Sequence, residues 1–363
     1  MLDCTPKFTY TQYMLSLSQV TFETRTILKW GAISLGILLS IFLIFKIGGT
    51  IKEAIFPTPP PLPKVEFGKL EAINFLAKAT NKKLSFSLDT ATGNLPNFPT
   101  QIKVYKIKKN EPNLLALAKA QDKVGKVGFK KSPAGLSESI YQWIDEDVLG
   151  RTLTMNIFSY NFNMFSSFLA DPNAETFNTK GFERAKSVAQ DFLFSLELFP
   201  LDFDTAKTRV NLFSIKNYSL IPATSISSTQ AVQISFFQRK FDNRSIYYPG
   251  ISVSPVAVVI GVVNGEPEVV EANSSYQTPS GEFSTYPIKS SKESFEELKN
   301  GKAFIGSSIG SFGKNGKISI KNISLGYYIG EREQTYLMPI IVFEGNDGFY
   351  AYVWAVTDEW INK

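Results

Sequence analysis

A chain of 363 residues with 44% hydrophobic and 20% charged residues is long enough to bury one or two cores of its own. Its formal charge of +5 is spread out, densest at KIKK (106–109) and KVGKVGFKK (123–131), and no aromatic ladder or arginine-rich run accompanies those stretches, which argues against nucleic-acid binding. With no histidine at all and one cysteine, Cys4, the sequence excludes Ser-His-Asp and Cys-His catalysis, histidine-held metals and disulfides in the body.

The first element in chain order is the apolar run WGAISLGILLSIFLIF, Trp30 to Phe45, bracketed by Lys29 and Lys46. Lys46 can snorkel, and Ile47 and Gly48 lengthen the run to roughly 19 residues, enough for a hydrocarbon core of about 30 Å. A buried core helix and a cleaved signal peptide are the other readings. The run starts late and no small-x-small site follows before Ile51-Lys52-Glu53, so an uncleaved signal anchor fits better. Positive charges are nearly balanced across it (Lys7, Arg25 and Lys29 before; Lys46, Lys52 and Lys64 after). The layout of short tail, single span and long body places the tail (1–29) in the cytoplasm, the transmembrane helix at 30–48 and the body outside. Residues 49–66 form a Pro-rich linker whose PTPPPLP (57–63) predicts a polyproline II spacer.

The body reads as short strands at 65–75, 84–96 and 104–107, a helix at 113–129, then strands at 139–144 and 152–162, a first α+β unit over 67–180. A second helix (181–198) carries Phe182, Ala185, Val188, Ala189, Phe192, Leu193 and Leu196 on one stripe and precedes strands at 208–215, 229–241, 254–263 and 266–276. Asn264-Gly265 between the last two predicts a tight hairpin. A third helix (290–300), stopped by Gly301, precedes strands at 317–329, 335–345 and 348–356, the last pair joined at Asn346-Asp347. The fold class is α+β: a transmembrane helix, then a helix-plus-antiparallel-sheet unit repeated three times.

The segments AKSVAQDFL, VQISFFQRKFDNRSIYYPG, VAVVIGVVNGEPEVVEANSSYQ, SFEELKNGKA and ISIKNISLGYYIGEREQTYLMPIIVFEG, with the anchor, resemble the YycH/YycI-type membrane-anchored two-component regulatory proteins, whose ectodomains are similar to PepSY modules. In that family a strand with paired tyrosines precedes a strand containing proline and a terminal aromatic strand; Tyr327-Tyr328, Pro339 and Phe349 to Ala355 correspond here. The resemblance covers 181–363 and the anchor, and 67–180 only by layout. The ending Trp354-Ala355-Val356 with its short acidic tail departs from the pattern. It implies a YycI-like α+β ectodomain of two helix-strand units at 181–363 and a sensor histidine kinase as partner.

No constellation does recognisable chemistry, so no catalytic residue, cofactor or metal ligand is assigned. Asp145-Glu146-Asp147 lacks the alternating ligands and glycine of a calcium loop and reads as a solvated turn. Asp202-x-Asp204 reads as a cap, and Glu331 and Glu333 flank Arg332 with nothing to orient them. The aromatic set Tyr247, Tyr248, Tyr327, Tyr328, Tyr336, Phe349, Tyr350 and Tyr352 is richer, because alternation along a strand turns about half outward. Tyr327, Tyr328, Tyr336, Tyr350 and Tyr352 are the candidate partner-binding residues. The expected function is a non-enzymatic single-pass membrane protein whose extracytoplasmic domain binds protein or peptide and regulates a membrane sensor; the alternative is a tethered structural or assembly module of the envelope.

Overall fold

The structure, a computed structural model, describes residues 17–55, 61–73, 75, 84–109, 111–145, 149–171, 173–250, 253–307 and 316–362. It divides into two compact units, Met1–Leu62 and Pro63–Lys363. The described part of the first is dominated by α1 (Leu17–Ile55). Within it Thr24–Ile44, 21 residues of mean hydropathy 2.2 with none of the surface buried, is long and apolar enough to cross a membrane. At 1.5 Å per residue that stretch spans about 32 Å. The Ser34 and Ser40 hydroxyls donate to the carbonyls of Gly31 (2.9 Å) and Gly36 (2.8 Å), so the helix meets its own polar needs. Residues 49–55, expected in the linker, continue α1, because no proline interrupts the chain before Pro57. Most of the expected polyproline spacer, through residue 60, lies outside the described residues.

In the second unit the chain runs β1 (Leu70–Glu71), β2 (Ser85–Leu88), β3 (Gln101–Ile107), α2 (Ala116–Gly125), β4 (Ala134–Gly135), β5 (Ile140–Ile144), β6 (Thr152–Asn156), β7 (Phe162–Phe165) and α3 (Thr179–Ser195). It continues through β8 (Arg209–Lys216), β9 (Ser219–Pro222), β10 (Ala231–Phe236), β11 (Ile246–Tyr247), β12 (Val256–Val263), β13 (Glu266–Ser274) and β14 (Pro279–Pro287). After α4 (Ser291–Lys299) come β15 (Phe304–Ile305), β16 (Lys317–Tyr328), β17 (Tyr336–Gly345), β18 (Tyr350–Trp354) and β19 (Ile361–Asn362), completing an α+β fold that is mostly sheet.

One sheet is antiparallel with nine strands in the order β4-β5-β6-β7-β13-β12-β10-β8-β9. One of its faces is a continuous apolar layer: Trp143, Leu153, Met155 and Phe162 meet Ala116, Ala120 and Val124 of α2, and Ile234, Phe236, Val258 and Ile260 meet Ala185, Ala189 and Leu193 of α3. The buried Trp143 indole donates to Gln121 Oε1 at 2.6 Å, which orients α2 on the sheet. The β12–β13 hairpin turns at Asn264 (φ 52°) and Gly265 (φ 80°), as expected. On the opposite face Phe168 lies on Gly261, where a Cβ would meet the ring at 2.4 Å. Gly261→Ala is therefore expected to destabilise by about 1–3 kcal/mol through overpacking, measured by chemical denaturation.

The second sheet is built on β16 and β17. Its order is β11-β16-β17-β18-β15; β2 and β11 run parallel along one edge of β16, while β3 bridges β17 and β14. Apolar matter covers both faces: Phe295 and Leu298 of α4 with Leu84, Phe86 and Phe98 on one, and Leu70, Ile73, Tyr286 and Ile361 on the other.

The boundary expected at 180/181 does not separate the sheets. Strand β7 pairs with β13, so strands following α2 and α3 share one sheet, and β3 reaches from the expected first unit into the sheet of β16–β18. Helices α2, α3 and α4 each precede antiparallel strands, but three separate helix-sheet units do not result. The strand expected at 152–162 is two strands, because Asn156 Oδ1 accepts from the Phe158 and Ser159 amides and Tyr160 turns left-handed (φ 58°).

Candidate functional site

The five candidate tyrosines do not form one exposed face. Tyr327, Tyr328 and Tyr352 are buried, and Tyr327 donates to the Lys103 carbonyl at 2.9 Å as a core hydroxyl. Alternation misleads here because the second sheet has an apolar cover on each side, so alternate positions at these three tyrosines are both buried. Tyr336 is half-buried, stacked on Phe67 with centroids 5.2 Å apart. With Tyr328 it lines a pocket of about 330 Å³.

Tyr350 and Tyr352, joined by Tyr247 and Tyr248, line a cleft of about 470 Å³. Strand register explains the grouping. Tyr350 and Tyr352 are two apart on β18; Glu344 on β17 lies opposite Tyr350 and also opposite Asn322 of β16. Tyr247 on β11 crosses the strand at Gly326, where a Cβ would meet its ring at 2.5 Å, and packs against Tyr352 at 5.8 Å between centroids. Its hydroxyl donates to Glu344 Oε1 at 3.4 Å, and Asn322 Nδ2 donates to Oε2 at 3.3 Å. Among the described residues no lysine or arginine forms an ion pair with Glu344. Burial pushes the Tyr247 and Tyr350 hydroxyls up and the Glu344 charge adds to both shifts, while Ser324 opposes the shift of Tyr247 and the Arg209 charge opposes that of Tyr350. The other wall carries Lys207, 3.7 Å from Asp204, and Arg209, whose guanidinium lies 4.9 Å from the Phe237 centroid.

A larger cleft, about 650 Å³, is lined from both sheets. Two of its residues, Tyr160 and Glu197, hold left-handed backbones (φ 58° and 55°) at positions that favour glycine or asparagine. Lys123 joins them: its ammonium is 2.7 Å from Glu197 Oε2 and 5.4 Å from the Tyr160 centroid. Hydrogen bonds from Lys123 and then Lys126 hold the Glu197 carboxyl down at about 2. A depressed carboxyl contributes stability above its unfolded value near 4.5 and loses it as pH falls toward 2. Glu197→Gln is thus expected to flatten the stability-pH curve within that window, read by urea titrations at successive pH values.

The cleft also borders a buried polar network. The Tyr276 hydroxyl donates to Asp202 Oδ1 at 2.7 Å, and the buried Gln238 donates to Oδ2 at 2.9 Å. Gln277 Nε2 donates to the carbonyls of Gly330 (3.2 Å) and Arg332 (3.1 Å), fixing the β16–β17 loop that carries Glu333.

The carboxylates singled out by sequence resolve separately. Asp145 is buried and paired with Arg151 at 2.5 Å rather than solvated; Glu146 and Asp147 lie outside the described residues. Asp204 caps a short 3-10 turn through the Ala206 amide, whereas Asp202 belongs to the tyrosine network. Glu331 and Glu333 are exposed. Among the described residues no group of three or more His, Cys, Asp and Glu could hold a metal ion.

Sequence reasoning missed Glu344, which the hairpin signal at Asn346-Asp347 could have placed across from Tyr350, and Arg209, which stands alone in no motif. Comparison of the chain with protein-family models and with curated proteins finds no match.

Proposed function

We propose that this is a single-pass protein anchored in the envelope by α1, with an extracytoplasmic body that binds a protein or peptide partner without catalysis. The observation that carries the reading is the tyrosine cleft: half-buried aromatic rings beside a carboxylate that no basic side chain among the described residues ion-pairs, the composition of a recognition surface. Support for the anchor comes from the unburied apolar stretch of α1. The regulatory part of the proposal, a YycI-like ectodomain acting on a sensor kinase, rests on the resemblance carried by Tyr327-Tyr328, Pro339 and the terminal strand. Contact between transmembrane helices would transmit it, and Gly31 and Gly36 leave room for close approach.

Photocrosslinking in native membranes tests this proposal. A benzophenone amino acid at Tyr350 is expected to give a discrete adduct that the same group at Tyr218, 74% exposed on the β8–β9 turn, does not. Identical adducts from both positions, or none from 350, would contradict it. A kinase in the adduct supports regulation, and a wall or assembly protein supports the tethered structural module.

A further inference from the structure

We infer that the cleft walled by Tyr247, Tyr350 and Glu344 recognises the guanidinium or ammonium group of an arginine or lysine side chain presented by the partner. This rests on the binding-module reading and adds the chemistry of the contact. Among the described residues Glu344 receives a phenol and an amide, at 3.4 and 3.3 Å, and no lysine or arginine, so there its negative charge is hydrogen-bonded but not ion-paired. A half-buried carboxylate in that state attracts a cation more strongly than a solvated one, because little water competes for it.

The aromatic groups around it are suited to the same guest. Tyr350 lies directly across the strand pair from Glu344, and Tyr247 is held over Gly326 with its hydroxyl directed to the carboxylate. Ring faces next to a carboxylate favour a planar guanidinium or an ammonium through their quadrupoles. Both phenols are held in their neutral, donor form by burial and by the Glu344 charge, so they add no negative charge of their own at neutral pH.

Among the described residues the basic groups of the facing wall form no ion pair with Glu344, although the Arg209 charge reaches the Tyr350 hydroxyl and opposes its upward shift. Lys207 turns to Asp204 and Arg209 covers Phe237, so the cleft is polarised, acidic and aromatic on the β16–β18 side and basic on the other. A partner segment whose cationic side chain enters toward Glu344 therefore meets attraction on one wall, while one entering with the reverse polarity meets the Glu344 carboxylate.

The test uses the full chain in a neutral detergent, titrated with N-acetylarginine amide and, separately, with its uncharged isostere N-acetylcitrulline amide, by saturation-transfer NMR. Saturable binding of the arginine probe, at least about tenfold tighter than the citrulline probe, is expected. Glu344→Gln is expected to remove that preference, and Tyr350→Phe, which keeps the ring, to retain it. Equal affinity for the two probes, or no saturable signal from either, would overturn the assignment, and that comparison needs no variant to fold. Failure of the arginine probe with the Tyr350 photoadduct intact removes the cation chemistry alone; loss of both removes the binding module as well.

Discussion

Raising the pH above 10 is expected to ionise the tyrosines in two phases, with the second appearing only as the fold collapses. Among the described tyrosines six are buried: Tyr105, Tyr248, Tyr286, Tyr327, Tyr328 and Tyr352. Burial pushes Tyr105 and Tyr286 up to about 12, and Tyr248, Tyr327, Tyr328 and Tyr352 beyond that. These groups keep protons that the unfolded chain releases near 10. Their contribution to stability is complete below pH 10 and is lost as pH climbs through 12. Absorbance at the tyrosinate band should rise first for exposed residues such as Tyr218, then again together with loss of the far-ultraviolet dichroism. A single phase centred near pH 10 with the fold intact would show that these hydroxyls are open to water.

The second large effect is expected at Lys289. Its side chain is only 8% exposed, and its ammonium lies 2.8 Å from both Glu297 of α4 and Asp358 before β19. The same residue's amide donates to the Ala355 carbonyl at 2.8 Å, so one lysine joins β14, α4 and the end of β18. Lys289→Ala removes the ammonium that lies between the Glu297 and Asp358 carboxylates, and removing one partner of a buried pair costs about 3–5 kcal/mol. Asp358 is half exposed and can turn to water, which puts the expected loss at the lower end, about 3 kcal/mol, measured as a fall in urea midpoint at unchanged slope. Lys289→Arg should recover part of it. A loss below about 1 kcal/mol would mean that the bridge behaves as a surface pair.

What the sequence conveyed well was local. Asn264-Gly265 marked its hairpin because two left-handed residues are needed there and those two types adopt that conformation readily. The 3.6-residue stripe of Ala185, Ala189, Phe192 and Leu193 marked α3 because it had one sheet face to cover. Strand β14 escaped notice since prolines frame it and Gly281 interrupts its alternation. The pairings β7 with β13 and β3 with β17 join segments more than a hundred residues apart and leave no local mark. That missing information is also why the tyrosines were misplaced: whether Tyr327, Tyr328 and Tyr352 face water depends on Lys103, Phe75 and Phe304, respectively, arriving from elsewhere in the chain. The cleft was legible as an aromatic cluster, but the Glu344 carboxylate beside it was not.

Protease digestion of intact cells, followed by alkaline extraction of their membranes, tests the central claim most directly. The anchored-module account predicts that protease added outside removes the body while the α1 segment stays in the extracted membrane, and that the undigested chain resists alkaline release. A body protected until the cells are broken, or a chain released by alkali, would contradict it.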